Sequence, residues 1–454
     1  MILRRYGTFA GGIDLPDEKH ATLDRPIHPW RRPQSLRVPL APCGESPATP
    51  TVEVGTYVTA GERIAEAADE TGVDVFCPVS GLASAVTTAT VAGRDGFVQS
   101  PAIELTDITS VSSILPVAPV FDWRAASAHT LRLRIAEGGL TTCRRPPRPL
   151  LRWVEAARTK RCRTLIVNAM ESQPYVTADH RLLVDHGTDV IRGLAILTRA
   201  IDAAEAVLAA DHRRTEEYRQ LVGPARMYQI NRIALGHKYP AGADAMLLKV
   251  LTRREVPPGG EAADIGAAVI DAATCFAVYR WVACGVLPTS RAVTVAGERI
   301  EHPGNFWVPF GTPCAALAES AAAPVLHGGP MVALRCDEKS VVGPSTDAVL
   351  AIETPSAPLP SPCIRCGWCT DHCPARLNVA ALNDHFELGL LESARRVGVT
   401  ACVECGVCSY VCPARLPLSQ RVKQLKRALA GPGERTPAPS KRPRGSSCES
   451  KRLL

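Results

Sequence analysis

Two stretches of the chain repeat one spacing of thiols. Cys363, Cys366, Cys369 and Cys373 stand before Pro374, and Cys402, Cys405, Cys408 and Cys412 stand before Pro413. Each reads C-x2-C-x2-C-x3-C-P, the spacing that holds [4Fe–4S] clusters. Such a cluster needs four thiolates at the corners of a tetrahedron. Three come from one tight loop and the fourth from a helix start, where the proline can open the next turn. When two runs share a chain, the fourth cysteine of each serves the other cluster. The expected sets are therefore Cys363, Cys366, Cys369 with Cys412, and Cys402, Cys405, Cys408 with Cys373. Disulfides would need an oxidising compartment, and Met1 to Tyr6 has no signal-peptide character. Structural zinc, usually held by two C-x2-C pairs, leaves half of each run without a role. The chemistry these residues suit is transfer of single electrons.

The rest of the chain must position that chemistry. At 454 residues it is too long for one core and should hold three or four domains. No apolar stretch is long enough for a bilayer. The best candidate, 190–210, is interrupted by Arg192, Arg199, Asp202 and Glu205, and it reads as an amphipathic helix. The nine cysteines outside the two runs fit a reducing cytoplasm and read as small buried residues. Net charge is +7, and residues 431–454 carry six Lys/Arg against two Glu. That Pro- and Ser-rich stretch reads as a disordered basic tail, either solvated or touching anionic lipid or a partner. Aromatics at 5% and the lack of a reader motif argue against nucleic acid.

Four folded segments precede the tail. Residues 1–119 carry short β-branched runs broken at glycines, with strands expected over 51–61 and from Asp74. Their V-x2-G-x-x-V-x-x-G pattern looks like a barrel-sandwich hybrid. The hairpin tip Phe76-Cys77-Pro78 lacks the lysine of a swinging arm, so the domain is read as structural. Residues 120–285 alternate helix and strand. Arg163 to Asn168 and Asp264 to Asp271 read as buried strands, followed by helices over 179–197 and 272–284. A strand emptying into the polar loop from Met170 to Tyr175 is where an open α/β sheet places its ligand. Residues 286–352 read as a small β domain. Residues 353–430 enter through a Pro-rich linker and form a helical two-cluster, ferredoxin-like domain, with a helix expected over 379–396. The fold class is thus multidomain α/β plus β.

Several motifs together carry a family resemblance over nearly the whole chain. They are Phe9 to Ile13 (F-A-G-G-I), Asn168 to Asp179 (N-A-M-E-S-Q-P-Y-V-T-A-D), Lys238 to Gly242 (K-Y-P-A-G), Arg254 to Pro257, Asp264 to Gly266, Arg291 to Gly297 (R-A-V-T-V-A-G) and both cysteine runs. The chain resembles the C subunit of Rnf-type ion-translocating electron-transport complexes. Its second and third segments are similar to the flavin-bearing, NADH-oxidising subunit of respiratory complex I. The resemblance implies a soluble-ligand-binding β-grasp fold for the third segment. It also implies a peripheral place on the cytoplasmic face of the membrane. Electrons would come from NADH through a non-covalent FMN, or be exchanged with ferredoxin, and pass through two [4Fe–4S] clusters to membrane subunits that move Na⁺ or H⁺. Asn168, Glu171 and Lys238 match the family's cofactor-binding motifs.

The chain departs from that family at the flavin. Where the family has G-G-x-G-F-P-T-x-x-K, this sequence runs from Gly138 to Arg148 without the third glycine, the F-P-T or the lysine. E-C-E-P becomes Glu171 to Pro174 (E-S-Q-P), and N-V-x-T becomes Asp271 to Thr274 (D-A-A-T). Arg144, Arg145, Arg148, Arg152, Arg158 and Arg163 crowd the same region. They would grip phosphate as guanidinium forks, dock an acidic partner such as a ferredoxin, or simply face solvent. Three functions fit these residues: an NADH- and FMN-using electron-entry subunit, a flavin-free adapter fed by a separate partner, and a cobalamin-reducing flavoprotein of the same architecture.

Overall fold

A computed structural model describes residues 8–110, 116–318, 323–353 and 359–430. The expected basic tail lies outside the described residues, as does most of the linker after Glu353.

The first segment folds around a long antiparallel hairpin, Ser80–Ala92 against Phe97–Ser110. Leu36–Pro39 and Tyr57–Val58 extend it, and a second sheet of Thr49–Pro50, Arg63–Glu66 and Val75–Phe76 packs against it. Leu36, Ile64, Val79 and Leu105 fill the space between, with Cys77 fully buried at the turn. Of the strand expected over 51–61 only Tyr57–Val58 forms, flanked by turns through positive φ at Gly55 and Gly61. One strand of this segment, Ile27–Pro29, leaves it altogether. It pairs in parallel with Gly304–Pro309, at the edge of a six-stranded sheet otherwise built from the third segment.

The second segment is a four-stranded parallel sheet in the order Ile230–Leu235, Glu205–Asp211, Thr164–Ala169, Ala267–Asp271. Period-two alternation sends Leu165, Val167 and Ala169 to one face and Ile166 to the other. The first face is covered by helices Ala128–Ala136, Leu150–Thr159, Ala178–Ala200 and Ala272–Val282. The two longest touch through Gly193, where a Cβ would lie 1.7 Å from the Cys275 carbonyl oxygen, so no larger residue fits. The other face is covered by Asp244–Thr252.

Two expected elements differ. The helix read over 190–210 ends at Ala200; Asp202 turns the chain in the left-handed region, and Glu205–Asp211 becomes a central strand. Its partner on Thr164–Ala169 lies far away in sequence, so tertiary pairing overrides local helix propensity. The strand expected from Asp264 starts later, at Ala267. Asp264 instead closes a short 3-10 turn by accepting from the Glu261 N–H at 2.8 Å, and Gly266 then turns at φ +73°.

The cluster domain shows its internal repeat in the backbone. Arg365 and Glu404, Gly367 and Gly406, and Arg376 and Arg415 take matching left-handed φ values at one constant offset along the chain. Each glycine opens a one-turn helix, Trp368–Asp371 or Val407–Tyr410. The helix expected over 379–396 is broken at Gly389 (φ +66°) into Val379–Glu387 and Leu391–Arg396. Leu418–Ala430 packs across them through Val422 and Leu425.

Candidate functional site

The left-handed turns bend each cysteine run back on itself. Cys363, Cys366 and Cys369 of the first run line one cavity together with Cys412 of the second, floored by Leu416 and Leu418. The complementary four gather in the same crossed fashion. Burial, then the neighbouring Cys402 and Cys373 thiols, push Cys405 up to about 12. Burial likewise pushes Cys402 up to about 11, again with Cys373 near it. A metal bound there would require these sulfurs as thiolates, so its binding releases protons. Backbone N–H groups of Leu377 and Glu404 donate to the Cys373 and Cys402 sulfurs, each at 3.4 Å, which orients ligands of this kind.

The two sets differ in surroundings. Cys366 is exposed, with Ile364 and Trp368 open to solvent beside it. The Cys402 set faces the α/β domain. Tyr239 donates its hydroxyl to the Cys405 carbonyl at 2.6 Å and receives Gln173 Nε2 at 3.1 Å. Gln173 Oε1 accepts from the Met331 N–H, tying in the third segment. Gly12 N–H donates to the His372 carbonyl at 2.8 Å, and a Cβ on Gly11 would lie 2.5 Å from the Cys373 carbonyl oxygen. The F-A-G-G-I motif therefore runs flat against the end of the first cysteine run, where Cys373 crosses to the second, and glycine is what lets it do so.

Between Thr164–Ala169 and Ala267–Asp271 the strand order reverses, the place where an open α/β sheet puts its ligand crevice. Asn168 and Asp271 stand opposite each other at its floor. Asn168 donates to the Gly242 carbonyl at 3.0 Å and the Asp244 carboxylate at 2.8 Å, and accepts from the Met170 N–H. Glu171 reaches the start of the helix Ala178–Ala200, accepting from the N–H groups of Asp179 at 2.8 Å and His180 at 3.4 Å. It stands in for a missing N-cap side chain there and sits 3.7 Å from the buried Lys19 ammonium. Burial pushes the Glu171 carboxyl up and the Lys19 ammonium down, so desolvation outweighs their mutual attraction on both sides. Asp179 is pushed up to about 8, first by burial and then by Asp271 and Glu171. Lys238 is turned elsewhere, to the Phe9 carbonyl at 3.2 Å and over the Phe9 ring.

The arginine run does not form a free basic face. Arg144 pairs with Asp244 and donates to the Gly242 carbonyl; Arg145 donates to the Val332 carbonyl. Arg148 pairs with Glu261, Arg152 with Glu45 and Arg158 with Glu155. Lys19, Asp179, Tyr239 and Asp244 all shape the site, yet nothing in the sequence marks them individually. Of the four, Tyr239 and Asp179 lie inside a motif that could have drawn attention to them.

Three family profiles match the chain in succession: the RnfC barrel-sandwich hybrid domain over residues 7–107, the Nuo51 FMN-binding domain over 149–280, and the 4Fe-4S dicluster domain over 359–422. The C subunit of the ion-translocating oxidoreductase complex of Rhodobacter capsulatus is 30% identical over 402 residues, 86% of this chain and 77% of that protein. The chain belongs to this C-subunit family. Its relative of the same name from Pseudomonas aeruginosa is 33% identical over 84% of this chain. The chain spans about half of that relative, 51% of its length. The C subunit of the Na(+)-translocating ferredoxin:NAD(+) oxidoreductase complex of Acetobacterium woodii is 28% identical over 82% of this chain and 86% of that protein. Among solved structures, an NAD+-reducing [NiFe]-hydrogenase in the H2-reduced state is 16% identical at a TM-score of 0.47, covering 69% of this chain and 63% of that one, and nothing below rests on it. No helix among the described residues of this family member is long and apolar enough to cross a membrane.

The FMN-type match begins at residue 149, just beyond the altered glycine loop. In that loop a Cβ on Gly138 would lie 2.5 Å from the Trp281 ring and one on Gly139 2.4 Å from the Asp74 carbonyl oxygen, so both glycines pack closely against other parts of the chain. The Asp271 carboxylate already caps the helix Ala272–Val282, accepting from the Thr274 N–H and hydroxyl at 2.7 Å each. Thr274 in turn accepts from the Cys143 N–H. An anion site at that helix start is thus filled by a carboxylate that would repel a phosphate. The start of the helix Ala272–Val282 therefore does not suit an FMN phosphate.

Proposed function

We propose that this chain is the peripheral iron–sulfur subunit of a membrane-bound Rnf-type complex. In this reading it sits on the cytoplasmic face, between an NADH- or ferredoxin-linked donor side and the ion-translocating membrane subunits. The observation that carries it is the gathering of eight cysteines into two crossed four-thiol groups. Cys363, Cys366, Cys369 and Cys412 would hold one [4Fe–4S] cluster; Cys402, Cys405, Cys408 and Cys373 would hold the other. Clusters so held take up and release one electron at a time. The chain's own residues do the rest. Leu416, Leu418 and Val407 keep water from the thiols, the Leu377 and Glu404 amides orient sulfur, and Tyr239, Gln173 and Gly11 fix the cluster domain against the α/β domain. The named relatives belong to multisubunit complexes, which supports membrane subunits as the partners. The division into residues 1–119, 120–285, 286–352 and 353–430, with tail 431–454, belongs to the same reading. Anaerobic reconstitution should bring about eight irons per chain. Substantially fewer, or zinc in their place, would end this assignment.

A second reading, in which the chain carries electrons without a flavin of its own, is favoured by the self-paired crevice. There Asn168, Arg144 and Asp271 spend their polar groups on Asp244, Gly242 and Thr274. Flavin content of the purified chain decides between them. A stoichiometric flavin that NADH bleaches supports direct entry; its absence supports a separate donor.

A further inference from the structure

A cavity of about 170 Å3 lies at the seam between the α/β domain and the third segment. Its walls are the helices Ala178–Ala200 and Ala272–Val282 and the strands Ser290–Ala296 and Gly304–Pro309. None of Asn168, Glu171, Lys238, Asp244 or Asp271 lines it, but Thr141 and Cys143 of the altered glycine loop and Ala273 of the D-A-A-T segment do, so it adjoins the strand-end site.

Its lining has two chemistries. One is aromatic: Phe276 and Trp307 stack with centroids 5.2 Å apart, and His186 lies 5.3 and 5.6 Å from them. His186 leaves helical geometry inside the helix Ala178–Ala200 (φ −133°, ψ 22°), and such a local break in a helix is common beside binding sites. The other chemistry is cationic. Arg291 is only 4% exposed, yet it hydrogen-bonds to the backbone carbonyls of Ala292, Cys143 and Pro344 and to no carboxylate among the described residues. The Asp179 carboxylate acts on it electrostatically without a hydrogen bond. Arg280, at the same wall, lies over the Phe276 ring.

Size narrows the occupant. An apolar cavity of roughly 150 Å3 holds benzene. A single substituted ring therefore fits. We propose that this seam cavity binds a single-ring aromatic carboxylate, with the ring against Phe276 and Trp307 and the carboxylate meeting Arg291 and Arg280. A carboxylate suits the Arg280 guanidinium and places an anion beside Arg291, whose Nε and Nη1 already donate to carbonyls, and the aromatic walls match the ring. This site is independent of the clusters.

Benzoate titrated calorimetrically into the full-length, iron-loaded chain tests it, with benzyl alcohol as the neutral ligand of like shape. Saturable benzoate binding is expected, at least tenfold tighter than benzyl alcohol. Ala277→Leu, which fills the cavity, should weaken it at least tenfold while iron content and melting temperature hold. Arg291→Gln should do the same to benzoate alone. Should that variant misfold, because Arg291 ties three carbonyls, Ala277→Leu and the benzyl alcohol comparison still decide. Absence of saturable binding overturns the proposal. So does equal affinity for the two ligands, or an Ala277→Leu chain that binds benzoate undiminished.

Discussion

Replacing Asp179 by asparagine should stabilise the chain, and by more at high pH than at low. Asp179 sits in the first turn of the helix Ala178–Ala200, crowded by Asp271 and Glu171, and its carboxyl is pushed from 3.8 to about 8, chiefly by burial. The folded state thus holds a proton that the unfolded chain has released. The sign follows: this group's contribution is most favourable below about pH 4 and is lost as pH rises through about 8. Taken at face value the full shift amounts to roughly 5–6 kcal/mol, at about 1.4 kcal/mol per unit. Asp179 keeps part of its surface in water, so screening reduces that by about half. Asparagine keeps the shape and carries no charge at any pH. The variant's advantage over the parent should therefore grow by about 1.5–2 kcal/mol between pH 5.5 and pH 9. Urea denaturation of both chains under anaerobic conditions at the two pH values measures it. Comparing variant with parent cancels the titrating groups that Asp179 does not touch; Glu171 and Asp271 remain coupled to it. An advantage that stays constant, or shrinks as pH rises, would refute a proton held on Asp179.

Three further outcomes are expected. Cys366→Ala and Cys405→Ala should each lower iron from about eight to about four per chain while leaving the α/β core folded, read by iron assay and circular dichroism. Tyr239→Phe removes the hydroxyl bonded to the Cys405 carbonyl at 2.6 Å; it should shift the reduction midpoint of one site and leave the other in place, and two equal shifts would rule out a local role. Glu171→Gln leaves the Lys19 ammonium buried without its partner and should cost about 2–4 kcal/mol of stability with iron content unchanged, seen as a lower melting temperature.

The proposed cluster ligands are legible in the sequence because most of a tetrahedral metal site is local. Three thiols must share one tight loop, so their spacing is written directly in the chain. The crevice is half legible. The N-A-M-E-S-Q-P segment marks the end of a strand, and Asn168 and Glu171 do stand there. What they touch is not readable, because Lys19 reaches Glu171 from 152 residues away and Tyr239 reaches Cys405 across 166. The arginine run misleads for the same reason. Its density is visible, but Asp244, Glu261 and Glu45, which neutralise it, arrive from remote segments. Residues 190–210 show the limit for backbone as well. The stretch E-A-V-L-A-A-D from Glu205 to Asp211 has no polar–apolar alternation to announce a strand. Only its register on Thr164–Ala169 makes it one.

The duplicated cysteine loops bear on how two sites in one domain come to differ. Matching φ values at Arg365 and Glu404, at Gly367 and Gly406, and at Arg376 and Arg415 mean that both runs present sulfur in the same way. Ligand type and loop geometry are therefore common to both sites. What differs is what lies beyond the ligands. Cys405 is roofed by Tyr239, and Gly406 meets the Met331 carbonyl so closely that a Cβ would lie 2.4 Å from it, whereas Cys366 is open to water. Burial, hydrogen bonding and solvent access are the levers by which a protein sets the potential of such a site. The Phe9–Ile13 segment, the Tyr239 loop and the Met331 loop, all from outside the cluster domain, are thus what make the two halves of a repeat unequal.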